Sequence, residues 1–428
     1  MGNNIWWEEG RMATIEKRGD TYRIIVSAGY NSAGKQIRKR LTWVPPTGLT
    51  PHQLKKALNV AAVEFENKVK TGQYIKGDIT LADFTARWIE EYGKIQLAET
   101  TLYSYRMALK DQILPALGHI QLGKLQPIQI QSFLNNLLED GVRKDGKPGG
   151  YGARTVKYMQ QILSSILHTA VYWQVILSNP CERVKPPAKK DAPTPGRVKH
   201  FTDEQVGRFL EAIEGEPLKY RLLANIGIYV GSRKGEMLGL TWADVDLDAG
   251  TLFIDKVGSY TPEKGLFIKD TPKNVSSVRS VELIDRVIVL LRLHKKEQAE
   301  DRLRLGELWQ NQDLIFTQWN GLQMHTSTPR QWMGRFIDRY NTNIMKDNTL
   351  ADGEKSTRLL PKIPFHGLRH TSATLMIAGH VDIRTVSARL GHARTSTTTD
   401  IYSHFLKTSD KKAALTIEGM IAGAKSSL

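Results

Sequence analysis

The sequence predicts a multi-domain chain, mainly α-helical with small β-sheets. Length, the changing period of its apolar residues and one proline-rich break predict this. The chain has 428 residues, more than one compact core accommodates when domains run to about 100–200 residues. Period-two, β-rich segments occur before residue 45 and again between 251 and 283, whereas apolar residues elsewhere recur at helical spacing. Pro180, Pro186, Pro187, Pro193 and Pro195 interrupt all periodicity. The expected layout is a three-stranded β-sheet plus helix over 1–74, a helical bundle over 78–178, a basic Pro-rich linker over 179–200, a mixed α+β domain over 201–410 and a tail over 411–428.

In the first region, 21–27 (TYRIIVS) is rich in β-formers and 37–44 (IRKRLTWV) alternates in part, with a turn at Asn31-Ser32-Ala33-Gly34. Lys35, Arg38, Lys39 and Arg40 fall in a stretch without acids. Such a strand suits a sheet lying on DNA, and it also suits a lysine-protected, solvated edge. Pro45-Pro46 ends the sheet, and 51–70 is helical by composition. In the bundle, Thr80 is placed to cap a helix with Leu81, Phe84, Trp88, Ile89 and Tyr92 on one face. Leu102, Tyr105, Leu109 and Ile113 form a second stripe. Ile130, Phe133, Leu134, Leu137 and Leu138 form a third, closed by Gly141, and Val156, Met159, Leu163, Ile166, Leu167 and Ala170 a fourth. These stripes read as core.

The linker carries Arg183, Lys185, Lys189, Lys190, Arg197 and Lys199 against Glu182 and Asp191, a balance that fits either contact with phosphates or plain solvation. Thr202 and Gln205 then form a capping box, with Phe201 and Val206 as its staple. Strands are expected at 251–257, 265–271 and 278–283, and a polar loop over 341–360.

A formal charge of +16 favours a polyanionic partner, nucleic acid first. No apolar run approaches the ~20 residues that span a bilayer, and residues 1–11, with Trp6, Trp7, Glu8 and Glu9, lack a signal-peptide core; a cytoplasmic protein without membrane partners is expected. Cys181 is the single cysteine, which excludes internal disulfides and cysteine metal clusters; it reads as incidental.

The densest chemical signal is His366-Gly367-Leu368-Arg369, followed by Leu390-Gly391-His392 and by Tyr402 in Asp400-Ile401-Tyr402. Upstream stand Gly231-Ser232-Arg233-Lys234-Gly235-Glu236 and then Thr271-Pro272-Lys273, before a strand holding Arg279. Each residue alone has an ordinary structural reading: a surface arginine, a capping histidine, a hairpin lysine, a half-buried tyrosine. Together and in this order they resemble the tyrosine recombinase (phage integrase) family, whose pattern is an arginine in G-x-R-x-G-E, a lysine on a β-hairpin, H-x-x-R, L-G-H and a C-terminal tyrosine. That resemblance covers about residues 200–410. The preceding helices resemble the family's core-binding domain, and the N-terminal strands resemble the arm-binding domain of larger integrases.

The resemblance implies a site-specific recombinase that cleaves and rejoins DNA through a 3′-phosphotyrosine, without ATP, metal or other cofactor. It implies Tyr402 as nucleophile, Arg233 and Arg369 as a clamp on the non-bridging oxygens, and His366 as the proton-transfer residue. Lys273 would be the general acid, in preference to Lys269, and His392 a hydrogen-bond donor to the phosphate; Glu236 would orient the site. The chemistry suits these types, because a phosphodiester repels nucleophiles until its charge is offset, and arginine's planar fork does that without losing its own charge. Lys35, Arg38, Lys39, Arg40, Lys189, Lys190 and Arg279 are expected at DNA. Expected partners are double-stranded attachment sites of core and arm type and a homotetramer on DNA, with a DNA-bending host factor and a directionality factor, inside a bacterial cell at the nucleoid. Integration and excision of a phage or mobile element is the leading reading, since the first 77 residues exceed what a two-domain recombinase needs. Alternatives are a resolvase or invertase with the same chemistry, and a DNA-binding regulator on the same fold. The tail over 410–428 either docks on a neighbouring protomer or frays.

Overall fold

The computed structural model describes residues 13–30, 34–70, 79–187, 199–269, 277–396, 398–399 and 418. The chain forms two compact units, Met1–Ala192 and Pro193–Leu428.

The first unit opens with an antiparallel meander, β1 (Ala13–Arg18), β2 (Thr21–Tyr30) and β3 (Gln36–Trp43), in the order β1-β2-β3. Helix α1 (Pro51–Lys70) covers one face, and Ile24 and Val26 of β2 are buried with Ala62 and Phe65 of α1 in a small core of their own. Pairing decides which basic side chains share a face. Val26 lies opposite Lys39 and Ile24 opposite Leu41, whereas Ser27 lies opposite Arg38 and Ile25 opposite Arg40. Directly paired residues project to the same side, so Lys39 stands on the α1 side, half-buried, while Arg38 and Arg40 are exposed on the open face. The basic cluster expected to act as one surface is thus divided by the pleat.

The bundle follows: α2 (Leu81–Trp88), α3 (Glu99–Ala108), α4 (Pro127–Asn136) and α5 (Ala153–Tyr172). Thr80 caps α2, its hydroxyl accepting the Asp83 N–H at 3.1 Å. Helices α2 and α3 each run on through a π-helical turn, Ile89–Gly93 and Leu109–Ile113. Trp88 is fully buried, stacks on Tyr92 and Tyr105, and donates its indole N–H to the Thr169 hydroxyl of α5 at 3.0 Å. The third stripe ends sooner than its pattern implies. Helix α4 stops at Asn136, Leu138 is exposed, and the Asp140 carboxylate gathers the N–H groups of Gly141 and Gly149 at 3.0 and 2.6 Å, closing a loop in place of the last turn. Cys181 sits on a 3₁₀ turn, Pro180–Arg183, within the bundle core, where burial pushes its thiol up to about 12; it is an inert apolar filler.

In the second unit, α6 (Asp203–Ala212) starts at the Thr202–Gln205 capping box, with Phe201 packed on Phe209. Next come α7 (Leu218–Asn225), a π-helical turn Ile226–Val230 and the short α8 (Lys234–Met237). Strands β4 (Val245–Asp246), β5 (Thr251–Ile254) and β8 (Arg279–Glu282) form one sheet in the order β4-β5-β8. A separate hairpin comprises β6 (Val257–Thr261) and β7 (Gly265–Lys269). The single strand expected over 251–257 is therefore broken, because the chain leaves one sheet and enters the other between Ile254 and Val257. Helices α9 (Asp285–Leu305), α10 (Thr328–Lys346), α11 (Asp352–Arg358), α12 (Gly367–Ala378) and α13 (Ile383–Leu390) complete the unit. The stretch 341–360, expected as a loop, is largely helical in α10 and α11. The Asn341 amide bonds both backbone groups of the buried Leu360 at 2.9 Å, and Arg208 and Tyr340 donate to the carbonyls of Thr357 and Arg358, so side chains from outside α11 hold a polar segment in place. Among the described residues no helix is long and apolar enough to cross a membrane.

Truncating Trp88 to alanine removes a fully buried indole and leaves the Thr169 hydroxyl without its donor. We expect Trp88→Ala to lower the stability of the first unit by about 3–5 kcal/mol, read as an earlier urea transition of its tryptophan fluorescence; a shift below about 1 kcal/mol would show that the indole does not hold the bundle.

Candidate active site

The π-helical turn before α8 ends at Gly231 in the left-handed conformation, φ 71°, where an added Cβ would meet the Leu390 side chain at 2.6 Å. That turn aims the Gly231 carbonyl at Arg369, whose guanidinium donates to it at 2.8 Å. Two residues on, Arg233 precedes α8. It donates to Glu236 Oε1 at 2.6 Å and to the Gly391 carbonyl at 2.8 Å, while its backbone N–H donates to Glu236 Oε2 at 2.9 Å. Glu236, expected only to orient the site, is 3% exposed and its carboxylate holds two arginines at once, since Arg279 of β8 also donates to Oε2 at 2.9 Å. Helix α13 ends at Gly391, φ 66°, where a Cβ would lie 2.7 Å from the Arg279 guanidinium. Glycine is the residue that both turns permit.

Arg279, expected as a DNA contact, is directed inward instead. Its side chain is 7% exposed and donates to Glu236, the Arg389 carbonyl at 2.8 Å and the Ser277 carbonyl at 2.9 Å. Its geometry is that of a brace between β8, α8 and α13. Arg389, which is not among the expected site residues, adds a second brace by donating to the carbonyls of Tyr229 and Glu282 at 3.0 and 3.1 Å. An arginine before L-G-H was its only sequence signal.

Helix α12 brings the other elements. His366 stands at its N-cap position, yet its side chain makes no capping bond. Arg369 lies one turn on, 3% exposed. Thr371 accepts the Phe201 N–H at 3.0 Å and donates to the Gly367 carbonyl at 2.9 Å, which fastens the start of the unit to this helix. His392 follows α13, its Nδ1 2.8 Å from the Thr398 hydroxyl.

Arg233, Glu236, His366, Arg369 and His392 are therefore drawn together from three parts of the chain. Burial, then Arg369 and Arg233, hold the His366 imidazole below its ordinary 6.5. Burial and the same two arginines hold His392 at about 4. His370, edge-on to His366 at 4.9 Å, is also held at about 4, first by burial and then by His366. Imidazoles neutral at pH 7 beside two guanidiniums can accept or donate a proton without adding to the positive charge. Lys273 and Tyr402, and Lys189 and Lys190 of the linker, lie outside the described residues, as does the tail apart from residue 418.

Burial opposes ionisation of Glu236, but Arg279 and Arg233 outweigh it and hold the carboxyl below its ordinary value. A depressed pKa stabilises the fold fully above the ordinary value of 4.5 and loses that stabilisation as pH falls through the depressed one. Glu236→Ala leaves two guanidiniums without their anion; a loss of about 3–5 kcal/mol is expected by urea denaturation, and a loss under about 1 kcal/mol would contradict the bridging role.

Known proteins are similar to this chain in sequence and in fold. The Phage integrase family matches residues 199–409, and the family's N-terminal SAM-like domain matches residues 80–138. The XerC-like tyrosine recombinase of Caldanaerobacter subterraneus subsp. tengcongensis is 26% identical over 95% of this chain and 98% of its own length. The ICEBs1 integrase of Bacillus subtilis is 26% identical over 96% of this chain and 100% of its own length. In fold, the chain is similar to the Tn1549 transposon integrase solved with transposon right end DNA, with a TM-score of 0.58 and 19% identity over 76% of this chain and 94% of that one. The two family matches together take in well over half of the sequence, and the chain belongs to the phage integrase family of tyrosine recombinases, enzymes of site-specific DNA breakage and rejoining.

Proposed function

We propose that Arg233 and Arg369 clamp the scissile phosphate while Tyr402 attacks it, and that the chain uses this chemistry to integrate and excise a mobile element. The interlocked anchoring of the two arginines carries the reading: Arg369 is tied to the Gly231 carbonyl in the loop before Arg233, and Arg233 to the Gly391 carbonyl just before His392. Arginine has five N–H donors, so these bonds orient each fork and leave Arg233 with N–H groups for phosphate oxygens; its side chain is 36% exposed.

The reaction is a transesterification. The Tyr402 oxygen forms a bond to phosphorus, the bond to the 5′ oxygen breaks, and the product is a 3′-phosphotyrosine with a free 5′ hydroxyl. A phenol with an ordinary pKa near 10 needs a base or a strong positive field; neutral His366 takes its proton and the two arginines supply the field. Lys273 protonates the departing 5′ oxygen. His392, its Nδ1 engaged by Thr398, donates from Nε2 to a phosphate oxygen. Attack of a 5′ hydroxyl from a second duplex reverses the sequence and exchanges strands, so bond energy is conserved.

Around this centre, the helical bundle of the first unit grips core-site DNA, and the sheet face bearing Arg38 and Arg40 contacts arm-site DNA, with Lys35, Lys189 and Lys190 adding backbone contacts. Relatives named as integrases, from Bacillus subtilis and Streptomyces ambofaciens, align over 96% and 97% of this chain, sheet included, which supports integration. Exchange between two duplexes needs four such sites, hence a homotetramer on DNA, in the cytoplasm of a bacterial cell, with a bending protein and a directionality factor as accessory partners.

On a nicked duplex spanning the element's junction, wild type should form a covalent protein–DNA adduct that persists on denaturing gels. Tyr402→Phe should form none, and an adduct that survives this change would remove Tyr402 as nucleophile. Arg369→Ala should abolish the adduct while retaining most DNA binding, because binding is spread over many phosphates. The pH profile tests His366. Its proton-accepting form persists below the ordinary histidine value, so single-turnover cleavage should hold as pH falls to 6.5 and decline only beneath it; a midpoint above 6.5 would exclude His366 as the base.

A further inference from the structure

Lys234 follows Arg233 directly and opens α8. Its immediate surroundings are rigid: Arg233 is held by three hydrogen bonds, and Glu236 and Met237 are buried. The Lys234 side chain is half-buried, and among the described residues it has neither a hydrogen bond nor an ion pair. The acid of its own helix cannot serve it, because both oxygens of Glu236 are taken by Arg233 and Arg279. Its charged neighbour is a cation, Arg330, on the first turn of α10, a turn without any acidic residue. Arg330 is exposed and likewise without an acid among the described residues. Lys234 also lies close enough to His366 to help depress it, after burial and the two arginines.

Two like charges within electrostatic reach of each other, one of them half out of water, repel each other in the free protein and disfavour the charged lysine; burial, then Arg330, hold Lys234 below its ordinary 10.5. Such an arrangement becomes favourable when an anion sits between the charges. Since Lys234 directly follows the arginine of the active site, the anion at hand is the DNA backbone.

We infer that Lys234, with Arg330 beside it, binds a non-bridging oxygen of a phosphate adjoining the one that is cut. This contact is separate from the Arg233–Arg369 clamp and rests on the reading of that clamp given above. Lys234 is a positioning residue: by holding the neighbouring phosphate it sets the scissile one in line with the nucleophile.

The test uses the full-length protein, the same nicked duplex, and versions of it in which single phosphates flanking the cut are replaced by neutral methylphosphonates. Lys234→Gln keeps most of the stem and removes the charge. We expect it to slow adduct formation about tenfold on the unmodified duplex and to reduce the slope of log affinity against log salt by about 1. Lys234→Arg should restore most of the rate. At one methylphosphonate position wild type and Lys234→Gln should become equal, since the contact is already lost. Equal rates and salt slopes on the unmodified duplex, or a rate difference that persists at every flanking position, would overturn the inference, the latter pointing to a structural effect of the residue. Absence of any adduct with wild type would instead overturn the recombinase reading beneath it.

Discussion

The carboxylate of Glu236 is the interaction on which the site depends. A buried carboxylate is costly unless it is matched, and here it is matched by two guanidiniums and a backbone N–H. Those guanidiniums reach onward to the carbonyls of Gly391 and Arg389. One buried anion therefore joins α8, β8 and the end of α13, elements that the sequence keeps far apart. The conformations of Gly231 and Gly391 are part of the same arrangement, because each turns a carbonyl toward an arginine and leaves no room for a side chain.

This network also governs the electrostatics of the histidines. With Glu236 internally neutralised, the guanidiniums still present positive charge toward His366 and His392. Burial and that charge keep both rings neutral. Neutral imidazoles beside fixed cations suit a reaction that builds negative charge on phosphorus-bound oxygens and moves single protons. The two roles of arginine in this unit are distinct in exposure. Arg233 keeps a partly open side chain, whereas Arg279 is enclosed and braces it.

Much of this was legible in the residues. Caps at Thr80 and at Thr202 with Gln205 formed where local chemistry placed them, since a hydroxyl and an N–H three residues apart need no distant partner. Apolar stripes at helical spacing became the bundle core because each stripe is buried against the stripes of the other helices. Where the pattern misled, a hydrogen-bonding polar side chain intervened. Asp140 closed a loop where a last helical turn was expected, and Asn341 held a polar stretch against Leu360 in helical form.

The sequence by itself determined the family and nominated the candidate site residues, because residue types needed for phosphodiester chemistry recur in a set order that few other functions require. Tertiary structure alone decided how those residues are used. Arg279 was indistinguishable from a DNA-contacting arginine until a buried acid claimed it, and Lys39 from Arg38 and Arg40 until strand pairing turned it toward α1. Lys234 was one more charge in a motif until the fold gave the acid of its own helix to two arginines and brought Arg330 within electrostatic reach. Charge is written in the chain, but the partner of a charge is a matter of distance, and distances between remote residues exist only once the chain has folded.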